Sequence, residues 1–94
     1  MSNPYTDKKL LARAQRKATA YHKGLKVKPS TRKFKKLDAF FDGKKVGSFG
    51  DRRYTDFLLS GDKDRRSRYR KRHAKDLKKK GKFTNGKFSY YILW

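Results

Sequence analysis

Residues 62–73 read Asp-Lys-Asp-Arg-Arg-Ser-Arg-Tyr-Arg-Lys-Arg-His, with five arginines and two lysines in twelve positions. A guanidinium is a planar fork of N–H donors that matches the paired oxygens of a phosphate or carboxylate. Arg65, Arg66, Arg68, Arg70, Lys71 and Arg72 are therefore candidates to contact a polyanion, and Lys75, Lys78 and Lys79 extend the run. Arg13, Arg16 and Lys17 make a second basic group, and Lys33, Lys35 and Lys36 a third. A charge run usually means a solvated helix face. Here the density of like charge, with little acid to balance it, favours an anionic partner. The pattern asks for a polyanion without choosing which one.

Chemistry of other kinds finds few candidates. His22 and His73 are the only imidazoles. His73 falls on the apolar stripe of the basic helix and reads as a packed helix residue. No Ser/His/Asp set or nucleophile elbow is present. The glycines of GKKVGSFG lie in a hairpin pattern, without the GK[ST] and helix start of a phosphate loop. The aspartates are scattered singly rather than at metal-ligand spacing. No RNP motif or C-x2-C zinc pattern occurs. The expectation is no catalytic residue, no metal, no cofactor and no small-molecule substrate. Phe40, Phe49, Tyr54, Tyr90 and Tyr91 could stack on bases, but in a chain so poor in aliphatic residues core packing is the preferred use.

The totals support this reading. The chain has 94 residues, which bounds it to one small domain. Lys plus Arg is 29 against 8 acids, all Asp, for a net charge of +21. Hydrophobic residues are only 34%, yet aromatics reach 15%, and rings bury enough area to hold a small core that a disordered polycation would lack. Such a charge repels itself in the compact state. Nucleic acid, an acidic protein surface or an anionic membrane could neutralise it. No apolar run approaches the ~20 residues of a bilayer span. The start, MSNPYTDKKL, has no apolar signal core, and there is no lipidation motif and no cysteine. Membrane is thus the weakest partner, and the expected place of work is inside a cell or a particle assembled there.

Several elements must position these charges. Asn3-Pro4 suits a helix start, with Asp7 in its first turn. Leu10, Leu11, Ala14, Ala18 and Tyr21 then share one side of a helix over about residues 4–22, stopped near Gly24. Residues 24–36 read as a basic linker interrupted by Pro29, either laid on a partner or solvated. Asp42-Gly43 predicts a hairpin turn pairing Phe41 with Lys44, Ala39 with Val46 and Leu37 with Ser48. That register puts Leu37, Ala39, Phe41 and Val46 on the core face and Phe40 and Phe49 on the other; a slip of one residue would exchange them. Tyr54, Phe57, Leu58 and Leu59 are further core candidates. Asp62 caps a helix running to about Lys80, with a stripe of Tyr69, His73 and Leu77, and Gly81 as its stop. Asp62–Arg66, Asp64–Arg68 and Asp76–Lys80 are favourable pairs worth only ~0.3–0.5 kcal/mol each. Asn85-Gly86 reads as a turn, and FSYYILW as a short strand or extended segment packed into the core or onto another chain.

The fold expected is α+β: a small β-hairpin and short sheet packed against a basic helix, with an N-terminal helical arm. Residues 1–35 would be the arm and linker, and residues 36–94 the domain.

From residue 46 the chain carries V-G-S-F-G-x3-Y-T-D-F, then D-K-D-R-R-S-R-Y-R-K-R-H, then T-N-G-K-F-S-Y-Y-I-L-W. This resembles a group of short basic proteins of large nucleocytoplasmic DNA viruses. Their pattern is Gly-x-x-Gly-Tyr-x-Asp-Phe/Tyr, Asp-x-x-Arg-x-x-Tyr-x-x-Arg-His and Thr-x-Gly…Leu-Trp. Tyr54, Asp56, Phe57, Asp62 or Asp64, Arg66, Tyr69, Arg72, His73, Thr84, Gly86, Leu93 and Trp94 fall on it. Arg53 stands where the pattern has Gly, and LLSG replaces a Thr-x-His segment, so no role tied to that His carries over. The resemblance implies a virion setting and fold-holding roles for the matched Asp, Arg, Tyr and His. It implies capsid or other virion proteins as partners, with DNA or RNA also possible. A minor capsid or virion component fits first. A DNA-condensing protein or a ribosomal-type RNA binder is the alternative.

Overall fold

In the computed structural model, which describes residues 2–94, two caps in succession start the chain. The Asn3 side chain accepts from the Tyr5 N–H at 3.0 Å and opens a single 3-10 turn, Pro4–Thr6. Asp7 then accepts from the Lys9 and Leu10 amides and caps α1, Lys8–Tyr21. Asp7 is thus the cap itself rather than a first-turn acid, and the helix begins four residues later than the spacing predicts. Met1, first residue of the expected arm, lies outside the described residues.

The segment read as a linker holds a strand. Leu25 and Val27 are buried while Lys26 and Lys28 are exposed, the period-2 alternation of a sheet residue set. The Gln15 carboxamide fixes it: Nε2 donates to the Leu25 carbonyl at 2.8 Å and Oε1 accepts from the Val27 N–H at 2.9 Å. This strand, β1 (Lys26–Pro29), pairs antiparallel with β2 (Lys35–Phe41), which pairs antiparallel with β3 (Lys44–Asp51). Pro29 sits at the last position of an edge strand, where its missing N–H costs no ladder bond.

The β2–β3 turn is Asp42-Gly43, with φ of 53° and 76°, and Phe41 faces Lys44 as the turn chemistry predicts. Beyond Phe40 a bulge shifts the register by one. Ala39 meets Gly47 rather than Val46, and Leu37 meets Phe49 rather than Ser48. Phe49 therefore joins Leu37, Ala39 and Val27 on the core face and is 1% exposed. Phe41 and Val46 are only half-buried. On the other face Ser48 donates to Asp38 at 2.6 Å.

Two short helices follow the sheet. Asp56 caps α2 (Phe57–Ser60) and Asp62 caps α3 (Lys63–His73). α3 is shorter than the predicted helix: it passes into a 3-10 stretch, Ala74–Lys78, where Asp76 takes His73 at 3.1 Å and Lys79 at 3.8 Å instead of the expected Lys80. Asn85-Gly86 is no hairpin turn. Thr84 accepts from the Lys87 N–H and caps α4 (Asn85–Phe88), which widens into a π turn over Ser89–Leu93. A continuous apolar run does not distinguish strand from helix; Phe88 and Ile92, four apart and both buried, settle it as helical.

The chain is α+β, with a three-stranded antiparallel sheet and four α-helices among the described residues. Its core joins Tyr5, Ala14 and Ala18 to Leu37, Phe49, Phe88 and Ile92 in one cluster. Residues 1–35, expected as an arm apart from the domain of 36–94, thus share that domain's core. The reason is chemical: Asn3 donates to the Lys36 carbonyl at 2.7 Å, and Tyr5 is fully buried.

Candidate functional site

The arginines of α3 divide by side. Residues three and four apart share a helix face, so Arg65, Arg68 and Arg72 line up together. They line a cleft of about 600 Å³. Lys35 and the Arg53-paired Asp51 also line it, together with Tyr69, Leu93 and Trp94. Within the lining, Tyr69 stacks on Trp94 at 4.4 Å and on His73 at 4.2 Å. Burial raises the Tyr69 pKa, so its phenol stays neutral. At the mouth, Tyr54 is 69% exposed, a large ring left in water. Arg65, Arg68 and Arg72 are exposed and make no side-chain hydrogen bond or ion pair among the described residues.

Beneath the cleft lies a buried polar triad. Lys36 Nζ donates to Asp56 Oδ2 at 2.8 Å and to the Tyr54 carbonyl at 2.7 Å. Tyr5 donates to the same carboxylate oxygen at 2.9 Å, while Asp56 Oδ1 accepts from the Leu59 amide. Lys36 and Asp56 are 2% and 1% exposed. Burial, and the charge and hydrogen bond of Asp56, push the Tyr5 pKa far above its ordinary range. Lys36, expected to meet a polyanion, is instead an internal tie: it lies on the sheet face opposite Leu37 and Ala39, where the segment after β3 folds back onto it and Asp56 compensates its charge.

The other expected contacts are spread over the surface. Arg66 and Arg70 are half-buried on another flank of α3. Arg66 lies 4.2 Å over the Phe57 ring; Arg70 donates to the Trp94 carbonyl at 3.1 Å and covers Tyr90. Both hold the fold as much as they offer charge. On α1, Arg13 and Arg16 are exposed and Lys17 half-buried. Lys33 is exposed beside Phe34, and Lys71, Lys75, Lys78 and Lys79 are exposed on and after α3.

The acids explain why this surface is so one-sided. Asp7, Asp56 and Asp62 cap helices. Asp38 is held by Ser48 and Lys45, Asp51 by Arg53, and Asp76 by His73 and Lys79. Six of the 8 aspartates are committed to local or internal work. The side-chain and backbone hydrogen bonds of Arg53 hold the Asp51 pKa down to about 2.

Sequence patterns gave no sign of Arg52, which clamps the turn between β1 and β2 by donating to the Lys35 and Ser30 carbonyls at 2.7 Å. Asn3 and Gln15 act the same way, each on backbone far along the chain. Only the Asn-Pro pair was a readable signal, and it spoke for a cap alone. Asp56, Tyr69, His73, Thr84 and Trp94, which fall on the pattern noted in the sequence, make the contacts described above, all of them within the chain.

No helix among the described residues is long and apolar enough to cross a membrane. No curated protein and no solved structure gives a significant match to the chain. Residues 25–73, from β1 through the arginine helix, match the model of a family of unknown function, DUF5754, and the chain belongs to that family.

Proposed function

We propose that the protein is a non-enzymatic structural component of a large DNA virus particle that contacts packaged nucleic acid through the arginine face of α3. One observation carries the reading. Arg65, Arg68 and Arg72 share one face of α3 and line the same cleft as Lys35. Guanidiniums at one-turn spacing can each take a phosphate oxygen pair of a backbone passing along the cleft. The exposed Tyr54 ring beside them favours nucleic acid over an acidic protein surface, because bases offer it a stacking face. The virion setting is supported by the viral pattern at residues 46–94.

Duplex binding measured against salt tests the contact. The slope of log K against log salt should be about −0.9 per neutralised phosphate. Replacing Arg65, Arg68 and Arg72 together with Gln should make it shallower by about 2–3, with folding unchanged. A wild-type chain that ignores duplex and single strand at low salt overturns the nucleic-acid reading. Absence from purified, nuclease-treated and washed particles overturns the virion reading.

A further inference from the structure

A second basic hollow lies on the opposite flank of α3. Successive helix residues are about 100° apart, so Arg66 points well away from the row formed by Arg65, Arg68 and Arg72. On its own flank Arg66 joins Arg13, Arg16 and Lys17 of α1 around a depression of about 400 Å³ floored by Phe57 and Leu58. No carboxylate lines this depression. The Phe57 ring holds the Arg66 guanidinium in place at 4.2 Å, so it is positioned rather than free to swing into water.

The cluster is costly in the unbound protein. Lys17 is half-buried beside like charges that its neighbours cannot disperse. Burial lowers its pKa, with Arg70 and Arg66 adding to the effect against a weaker opposing pull from Asp56. Like charges gathered around a partly desolvated ammonium raise the energy of the free state, and an entering anion lowers it.

Resting on the reading of α3 given above, the geometry points to a second phosphate-binding site in this hollow, so that one molecule holds two nucleic-acid segments at once, one on each flank of the helix. The two sites share α3 but no lining residue. A body of 34 × 32 × 23 Å would set the two segments side by side. The ligand in each site is the phosphate backbone, and the consequence is bridging by a monomer.

The test uses the full chain and two DNA duplexes, one fixed to beads and one fluorescent and free. Wild-type protein should retain the free duplex on the beads, while sedimentation in the same buffer gives a monomer. A hollow variant, Arg13→Gln/Arg16→Gln/Lys17→Gln, and a cleft variant, Arg65→Gln/Arg68→Gln/Arg72→Gln, should each still bind one duplex. Each should lose bridging at least fivefold at protein concentrations that saturate the first duplex. Arg13→Gln/Arg16→Gln alone, at exposed positions, serves if the triple change disturbs folding. The inference is overturned if wild type binds one duplex without bridging, if the hollow variant bridges like wild type, or if bridging tracks a dimer. Failure of wild type to bind any duplex would sink the proposed function itself, and is read separately in the first-duplex signal.

Discussion

Lys36 is 2% exposed, with its ammonium held by the Asp56 carboxylate and the Tyr54 carbonyl. In a run of lysines nothing distinguishes it, because the acid that meets it lies twenty positions away and arrives only when the segment after β3 folds back. Removing one partner of a buried pair leaves the other charge uncompensated and costs about 3–5 kcal/mol. Lys36→Met should therefore lower stability by about that amount in urea melts, while the folded variant keeps its affinity for duplex DNA. Adding Asp56→Asn, which can still cap α2, should recover part of the loss. A loss below about 1 kcal/mol would mean that the triad does not depend on the ammonium. Asp38 offers a pH test. Burial alone would raise its pKa, but hydrogen bonds from Ser48 and Ser30, and Lys45, outweigh it and the net shift is downward from 3.8. The unfolded chain thus binds more protons between the lowered value and 3.8. This contribution is complete above the ordinary carboxylate pKa and disappears as pH falls through the folded value. Ser48→Ala should raise the Asp38 pKa in a carbon-detected titration and leave a smaller stability loss on acidification below pH ~4.

At the scale of elements, what was readable followed local rules. The Asp42-Gly43 turn and the caps at Asp62 and Asn3 depend on neighbours a few residues away, and the structure has them. What was not readable depended on distant partners. β1 rests on its ladder with β2 on one edge and on Gln15 of α1, which bonds the Leu25 carbonyl and the Val27 N–H, on the other. The bulge after Ala39 moves Phe49 from the outer face to the core, and no local signal marks it. The cleft was legible only as a row of arginines; the rest of its lining includes residues of β2 and the last residues of the chain. Gly50 lies where β3, Lys36 and Leu93 meet in that construction. Its φ is +79°, and a Cβ there would meet Leu93 Cδ1 at 2.9 Å and Lys36 Cβ at 3.0 Å. Gly50→Ala combines a left-handed backbone with a crowded core and should cost about 2–4 kcal/mol. Hydrogen exchange should place the resulting opening at β3 and the C-terminal turn. Wild-type protection in both would disprove the role given to this glycine.

At the scale of the molecule, a net charge of +21 sits on a body whose acids are mostly committed to caps and internal pairs. The free protein and its complex should therefore answer salt with opposite signs. Screening shortens the reach of repulsion to about 10 Å at 0.1 M and less above it, so added monovalent salt should raise the melting temperature of the protein alone. Bound duplex stabilises by mass action, about 2.7 kcal/mol at a hundredfold excess over Kd, or roughly 10–20 °C for a domain this small. The same salt should remove that gain, because it weakens phosphate contacts. Lys17→Gln should raise the melting temperature of the free protein at low salt, since the ammonium is held beside Arg66 and Arg70, and should reduce the extra stability that duplex confers. Parallel thermal scans of both proteins, with and without duplex and across salt, separate these terms. If salt lowers the melting temperature of the unbound wild type, the cations are not in net repulsion, and the electrostatic case for an anionic partner fails with them.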